Sequence, residues 1–266
     1  DKTGTLTQNR MTVTAHSCSD QKRLMTAMAL CSDAEFDGEA GYAVGEPTEC
    51  ALVNDAEKNG LPKKELSKEY VRVAEAPFDS MRKMMSTVHK MPDGNFIQFT
   101  KGAPDEVLKR CTMALVDGKT VPMTEEIRNA ALKDNKDMAD RALRVLCAAQ
   151  REWSALPSDT SPETLECGLT YLGLSGMIDP VRPEVKAAIG ECRRAGIRPI
   201  MITGDHKDTA AAIAMELGII HDPSQAITGA MLNEMDDEQF YNDIERYSVY
   251  ARVQPEHKVR IVNAEY

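Results

Sequence analysis

Aromatic side chains are scarce. Phe, Tyr and Trp make up 5% of the 266 residues, with five Phe and one Trp (Trp153, which has no motif around it). No broad basic run appears and the net charge is −10, which argues against a nucleic-acid backbone as partner. No C-x-x-C occurs among the seven Cys, at 18, 31, 50, 111, 147, 167 and 192. The Cys and His stand at no metal-ligand spacing, so reduced, mostly buried thiols in a cytosolic setting are expected. No segment stays apolar for the ~20 residues a membrane helix needs; "TAAAIAMELGII" already contains Glu216. No signal-peptide pattern is present. A soluble chain is the expectation, and its 42% hydrophobic and 28% charged residues are those of a globular protein.

The C-terminal third alternates strands and helices. "RPIMIT" reads as a buried strand running into "GD", followed by a helix "HKDTAAAIAMELG" that Gly218 stops. "VRPEVKAAIGECRRAG" precedes it as a helix with Pro183 near its start; "SVYARV" and "PEHKVRIVNAEY" follow as strand and helix. This order implies a parallel sheet covered by helices. In the middle, "KMMSTVHK" and "NFIQFTKG" flank "MPDG", a hairpin signal. "PTECALVNDAEKNG", "APDEVLKRC" and "EEIRNAALKDNKDMADRAL" read as helices, "RVLCAAQRE" and "GLTYLGLSGMID" as strands. An antiparallel sheet with helices to one side is expected there. The plan is an α+β domain, residues 11–178, inserted into an α/β domain made of residues 1–10 and 179–266.

Two stretches carry chemistry. In an open parallel sheet ligands bind at the carboxyl ends of strands, where "TGD" falls: Thr203 offers a hydroxyl, Gly204 lets the backbone approach, and Asp205 precedes a helix. Alone, it equals an ordinary turn with an Asp cap. "DKTGT" at the start is more specific, because a carboxylate can be a nucleophile and form an acyl phosphate. The small residues after Asp1 leave room for a phosphoryl group and Mg²⁺, and Lys2 brings a positive charge.

"DKTGTLT", "KGAPDEV", "DPVRPEV", "MITGDH" and "ARVQPEHK" occur in this order over nearly the whole chain. As a set they resemble the P-type cation-transporting ATPases, most closely the calcium-transporting branch. The resemblance implies a phosphorylation domain of haloacid-dehalogenase-like fold, incomplete here, with a nucleotide-binding domain inserted in it. Asp1 then resembles the aspartate that attacks the γ-phosphate of ATP. Thr3 resembles the residue whose carbonyl helps hold Mg²⁺ and whose side chain meets the phosphate. Thr203, Gly204 and Asp205 resemble the loop on the transferred group, and Lys258 the Lys that neutralises it; otherwise Lys258 is a solvated helix residue. Asp179 and Arg182 resemble a hinge that sets the geometry of the phosphate site, with a helix cap as the bland reading of Asp179.

The same resemblance implies an adenine-stacking role for Phe78, otherwise a core aromatic. Lys101, followed by Gly102, resembles the Lys lining the adenine pocket, otherwise a snorkelling edge residue. Glu49 resembles the acceptor of the adenine amino group, and Arg144 an Arg that reaches the phosphates. Lys83 is expected at the pocket mouth and Arg252 at the ribose. The calcium pumps often carry an Arg two residues after the stacking Phe. Here Ser80 stands there, with Arg82 as a candidate substitute.

The family reading implies a membrane-embedded parent pump, with this region facing the cytoplasm and its transmembrane and actuator domains as partners. No "TGES" or "GDGVND" stretch, which would supply hydrolysis and an acidic Mg²⁺ ligand, occurs here. The isolated chain is therefore expected to bind ATP without turnover. A free-standing phosphatase of the same fold would commonly have Asp where Thr3 stands, which disfavours that alternative.

Overall fold

The structure, a computed structural model, describes residues 2–265. It divides into two compact units, Asp1–Arg10 with Asp140–Ala142 and Asp179–Tyr266, and Met11–Ala139 with Leu143–Ile178.

The larger unit contains, in chain order, β1 (Thr12–Cys18), α1 (Gln21–Leu30), β2 (Glu35–Asp37), β3 (Tyr42–Val44), α2 (Pro47–Lys58), α3 (Lys63–Glu69), β4 (Val71–Asp79), β5 (Met84–Lys90), β6 (Phe96–Gly102), α4 (Pro104–Arg110), β7 (Cys111–Val116), β8 (Lys119–Pro122), α5 (Glu125–Asp140), β9 (Arg144–Trp153), α6 (Pro162–Leu165) and β10 (Leu169–Ile178). Eight strands form one sheet in the order β4-β5-β6-β9-β10-β7-β8, with β1 also paired to β10. Every pair is antiparallel except β10 with β7. The β5–β6 hairpin runs in unbroken register from Met84↔Gly102 to Lys90↔Phe96. Its turn closes with Met91 N–H donating to the Asn95 carbonyl at 2.8 Å.

Helices cover both faces of this sheet rather than one. Leu24 and Met28 of α1 and Leu52 of α2 pack with Ile97, Phe99 and Ala148. On the opposite face Val107 and Leu108 of α4 and Ala131 and Met138 of α5 pack with Cys147, Ala149 and Leu174. Ala148 and its neighbours Cys147 and Ala149 thus point to opposite cores, as strand alternation requires. The buried runs of β5 and β6 belong to strands covered on both sides. The thiols divide too: Cys31, Cys111 and Cys147 are buried, Cys18, Cys50 and Cys192 partly so, and Cys167 exposed.

The smaller unit contains α7 (Val185–Arg194), β11 (Met201–Ile202), α8 (Lys207–Glu216), β12 (Ala226–Thr228), α9 (Gly229–Glu234), α10 (Asp237–Asp243), β13 (Val249–Ala251) and α11 (Pro255–Glu265). Its three strands pair in parallel in the order β11-β13-β12. Val185 and Ile189 of α7 and Ile213 of α8 pack on one face, and Phe240 of α10 and Ile261 of α11 on the other. The strand expected from "RPIMIT" is shorter, because Pro199 has no N–H to donate and pairing begins at Met201.

The segment before β1 lies along the residues after β10. Thr7 and Val181 form an antiparallel bridge. The Gln8 N–H donates to the Pro180 carbonyl at 3.0 Å and the Arg182 N–H to that of Leu6 at 2.9 Å. This pairing brings the start of the chain to the sheet that carries "TGD".

Candidate functional site

A cavity of about 520 Å³ opens in the larger unit, lined by Asp33, Ala34, Gly45, Glu46, Thr48, Glu49, Phe78, Met85, Lys101, Gly102, Arg144 and Leu146. It lies at the ends of β4, β6 and β9 beside the first turn of α2. Five residues singled out from the sequence, Glu49, Phe78, Lys101, Gly102 and Arg144, line it together.

Phe78 is 62% exposed, which removes the core-aromatic reading. A large apolar ring left in solvent at a cavity wall is a flat surface available for stacking. Lys101 is no snorkelling edge residue either. Its side chain is 8% exposed and Glu49's is 12%. The Lys101 ammonium donates to a Glu49 oxygen (Oε1) at 2.5 Å, to the Ser32 hydroxyl at 3.2 Å and to the Cys31 carbonyl. These three bonds use all three of its donors. The other Glu49 oxygen (Oε2) accepts from the Asp33 N–H at 2.6 Å and the Ala34 N–H at 3.1 Å. Glu49 is therefore held by three donors and keeps acceptor capacity on the cavity side.

Glu46, a residue the sequence reading passed over, caps α2. Its carboxylate accepts from the Thr48 N–H at 2.8 Å and the Glu49 N–H at 3.1 Å, the geometry expected one residue before a Pro-initiated helix. Arg144 is exposed and donates to the Thr48 hydroxyl at 3.2 Å. Asp33 was also missed. Arg72 donates to it at 2.7 Å, and that bond holds its carboxyl below the usual range.

Two glycines set the cavity's shape. A Cβ on Gly102 would stand 2.5 Å from the Lys83 carbonyl oxygen, and Gly45, at φ +146, would meet the Ala34 Cα at 2.8 Å. Lys83 is not among the lining residues; exposed, with φ 57, it contributes its carbonyl, which accepts from the Ala103 N–H at 2.9 Å. Arg82 does not replace the missing Arg at position 80. Its guanidinium is spent on Glu166 and on the Pro77 carbonyl.

In the smaller unit, Thr203 is buried and its hydroxyl accepts from the Asp205 N–H at 3.1 Å. Gly204 is exposed with nothing within 4 Å of an added Cβ. Asp205 is not a helix cap; His206 holds that position in α8, accepting from the Asp208 N–H at 3.4 Å. The Asp205 carboxylate instead pairs with the buried ammonium of Lys2, 203 positions away. The charge expected of Lys2 is thus matched by Asp205.

Nor is Asp179 a helix cap. It accepts from the Thr7 hydroxyl at 2.5 Å and the Arg10 N–H at 3.1 Å, while Arg182 donates to the carbonyls of Thr7 and Gly4, both at 3.1 Å. Arg252 is exposed at φ 48 and its N–H donates to the Asp205 carbonyl at 3.0 Å. Lys258 is exposed on the first turn of α11. Asp1 and the side chain of Thr3 lie outside the described residues.

No group of three or more His, Cys, Asp or Glu able to hold a metal ion occurs among the described residues, and Asp205 is engaged by an ammonium.

An apolar cavity with a few convergent polar groups has the usual form of a small-molecule site. Residues 20–184 match the family model of the P-type ATPase cytoplasmic domain N, and the chain belongs to the P-type cation-transporting ATPases. It is 46% identical over 279 residues to calcium-transporting ATPase 1 of Bacillus cereus, covering 99% of this chain and 31% of the relative. It is 42% identical over 277 residues to calcium-transporting ATPase 1 of Lactococcus lactis, covering 99% and 31%. It is 34% identical over 298 residues to the human calcium-transporting ATPase type 2C member 1, again covering 99% and 31%. The chain thus spans less than a third of the length of these relatives. No helix among the described residues is long and apolar enough to cross a membrane.

Proposed function

We propose that the chain is the ATP-handling region of a calcium pump. The larger unit binds ATP in the cavity of Phe78, Glu49, Lys101, Gly102 and Arg144, and Asp1 receives the γ-phosphoryl group. The observation that carries the reading is the joining, around one cavity, of an exposed aromatic ring and a carboxylate preset by three donors. The adenine stacks on Phe78 and its amino group donates to the free acceptor side of Glu49. Lys101 works through Glu49 rather than on the ligand, and Arg144 stands at the rim toward the phosphates.

Phosphoryl transfer rests on positioning and charge neutralisation. An Asp1 carboxylate oxygen attacks the γ-phosphorus, the bond to the β–γ bridging oxygen breaks, and ADP leaves. Thr203 and Gly204 offer a hydroxyl and an open backbone to the moving group, Lys258 offers charge, and Asp179 and Arg182 hold the segment carrying Asp1. Mg²⁺ would add charge neutralisation. The small unit's parallel sheet with helices on both faces suits a haloacid-dehalogenase-like phosphorylation domain. The parent is proposed to be membrane-embedded, with transmembrane and actuator domains as partners and this region on the cytoplasmic side.

Calorimetric titration of the chain tests the binding step. ATP and ADP should bind in the micromolar-to-millimolar range, about −4 to −8 kcal/mol, and absence of heat at millimolar nucleotide would refute it.

A further inference from the structure

The segment Ser32–Glu35 crosses the cavity wall between α1 and β2, and it is held from two sides. Its N–H groups at Asp33 and Ala34 donate to Glu49. Its carbonyls at Ser32 and Ala34 accept from a lysine that no motif includes. The Lys63 ammonium donates to the Ser32 carbonyl at 2.9 Å, to the Ala34 carbonyl at 2.7 Å and to the Glu35 carboxylate at 2.7 Å.

Lys63 is where local rules argue against a lysine. It is the first residue of α3, where the helix dipole disfavours a cation. Its side chain is 6% exposed, and a buried ammonium costs free energy unless its donors are matched. All three are matched, one by the carbonyl of Ala34, which lines the cavity, and one by that of Ser32, next to the lining Asp33. Glu35, the charged partner, is 72% exposed, so the ion pair contributes little and the carbonyl bonds explain the site. A residue that breaks a local preference to hold a neighbouring wall marks a functional constraint.

We propose that Lys63 is a positioning residue for the nucleotide cavity. By fixing the Ser32 and Ala34 carbonyls it aims the Asp33 and Ala34 N–H groups at Glu49, and so sets the carboxylate that faces the ligand. This rests on the proposed nucleotide reading. Lys63 itself meets no ligand; it stands in the layer behind the lining.

The test is calorimetric titration of the chain with ATP, on Lys63→Met, Glu49→Gln and the double variant, with Phe78→Ala as reference. Lys63→Met should weaken ATP about tenfold, and the Asp33 and Ala34 amide resonances should shift. In the Glu49→Gln background the same change should cost less than about twofold, because residues acting through one group are non-additive. Glu35→Gln should bind as the unmodified chain does. Equal losses in both backgrounds would show general loosening and overturn the proposal, as would unchanged affinity in Lys63→Met beside a weakened Phe78→Ala. If no variant, Phe78→Ala included, alters binding, the nucleotide reading fails instead. Should Lys63→Met not fold, hydrogen exchange in the unmodified chain decides. The Asp33 and Ala34 amides must be protected at least about tenfold without nucleotide, and unprotected amides there overturn the preset wall.

Discussion

Replacing Phe78 by Ala separates ligand binding from folding more cleanly than any other change in the cavity. A buried Phe cut to Ala costs about 3–5 kcal/mol, but Phe78 is 62% exposed and leaves no cavity behind. Exposed positions shift stability by about 0.5 kcal/mol or less, so the melting temperature should stay within about 2 °C. Binding should respond differently. Base–aromatic stacking is worth about 1–3 kcal/mol by alanine substitution, which is a loss of about 5- to 150-fold. Titration calorimetry with ADP and ATP reads the second quantity and a thermal melt the first. Unchanged affinity would refute the stacking role. A melting temperature lower by about 6 °C or more would refute the exposure on which the argument rests.

Two further changes probe the frame. Burial pushes His89 down to about 4; its ring bonds the Tyr70 carbonyl at 3.1 Å and the Thr87 hydroxyl at 2.8 Å. An unfolded His takes up a proton below about 6.5, so between those values the unfolded state binds more protons. Stability present above about pH 6.5 should therefore fall as pH drops toward 4, by about 3 kcal/mol in all. His89→Gln should flatten that limb in urea titrations; an unchanged limb would assign it to other groups. Gly102→Ala would press a methyl group against the Lys83 carbonyl and the Met84 backbone, which cannot swing away. A stability loss of about 1–3 kcal/mol together with weaker nucleotide binding is expected, and a variant with both unchanged would contradict the close approach of β5 and β6.

Elements bounded by punctuation were legible: the hairpin around "MPDG", the Pro47-initiated α2 and the long α5 all form close to their expected places. Helix α1 was not read, and its burial explains why. Every residue from Leu24 to Leu30 is buried, so it shows no apolar stripe against a polar face. Only Asp20, whose side chain accepts from the Arg23 N–H at 2.9 Å, marked its start. Strand β4 alternates but contains Pro77, which belongs at an edge, where the strand indeed lies. Within the site, Glu49, Phe78, Lys101, Gly102 and Arg144 were reached through motifs. Asp33, Glu46 and Lys63 were not, because Asp33 and Lys63 act through hydrogen bonds to residues 16 to 39 positions away and Glu46 resembles any helix cap.

If the cavity is the proposed nucleotide site, its charge decides which end of the nucleotide it can grip. Asp33, Glu46 and Glu49 line it against Lys101 and Arg144, so it offers no net positive charge to a polyphosphate. The usual anion site, the N–H groups of a helix start, is filled on α2 by Glu46. The Lys101 ammonium is spent on Glu49, Ser32 and Cys31. Arg144 alone of the lining cations is exposed, and a single exposed charge contact is worth about 1 kcal/mol or less. The cavity should therefore recognise the base and leave the phosphates to other groups. AMP, ADP and ATP should bind within about tenfold of one another, and 100 mM added salt should change ATP affinity by less than about threefold. A preference for ATP over AMP of 100-fold would show that the phosphates are gripped in this unit. Near-equal affinities are what a domain that presents ATP, and leaves the transfer step to the "DKTGT" and "TGD" residues, requires.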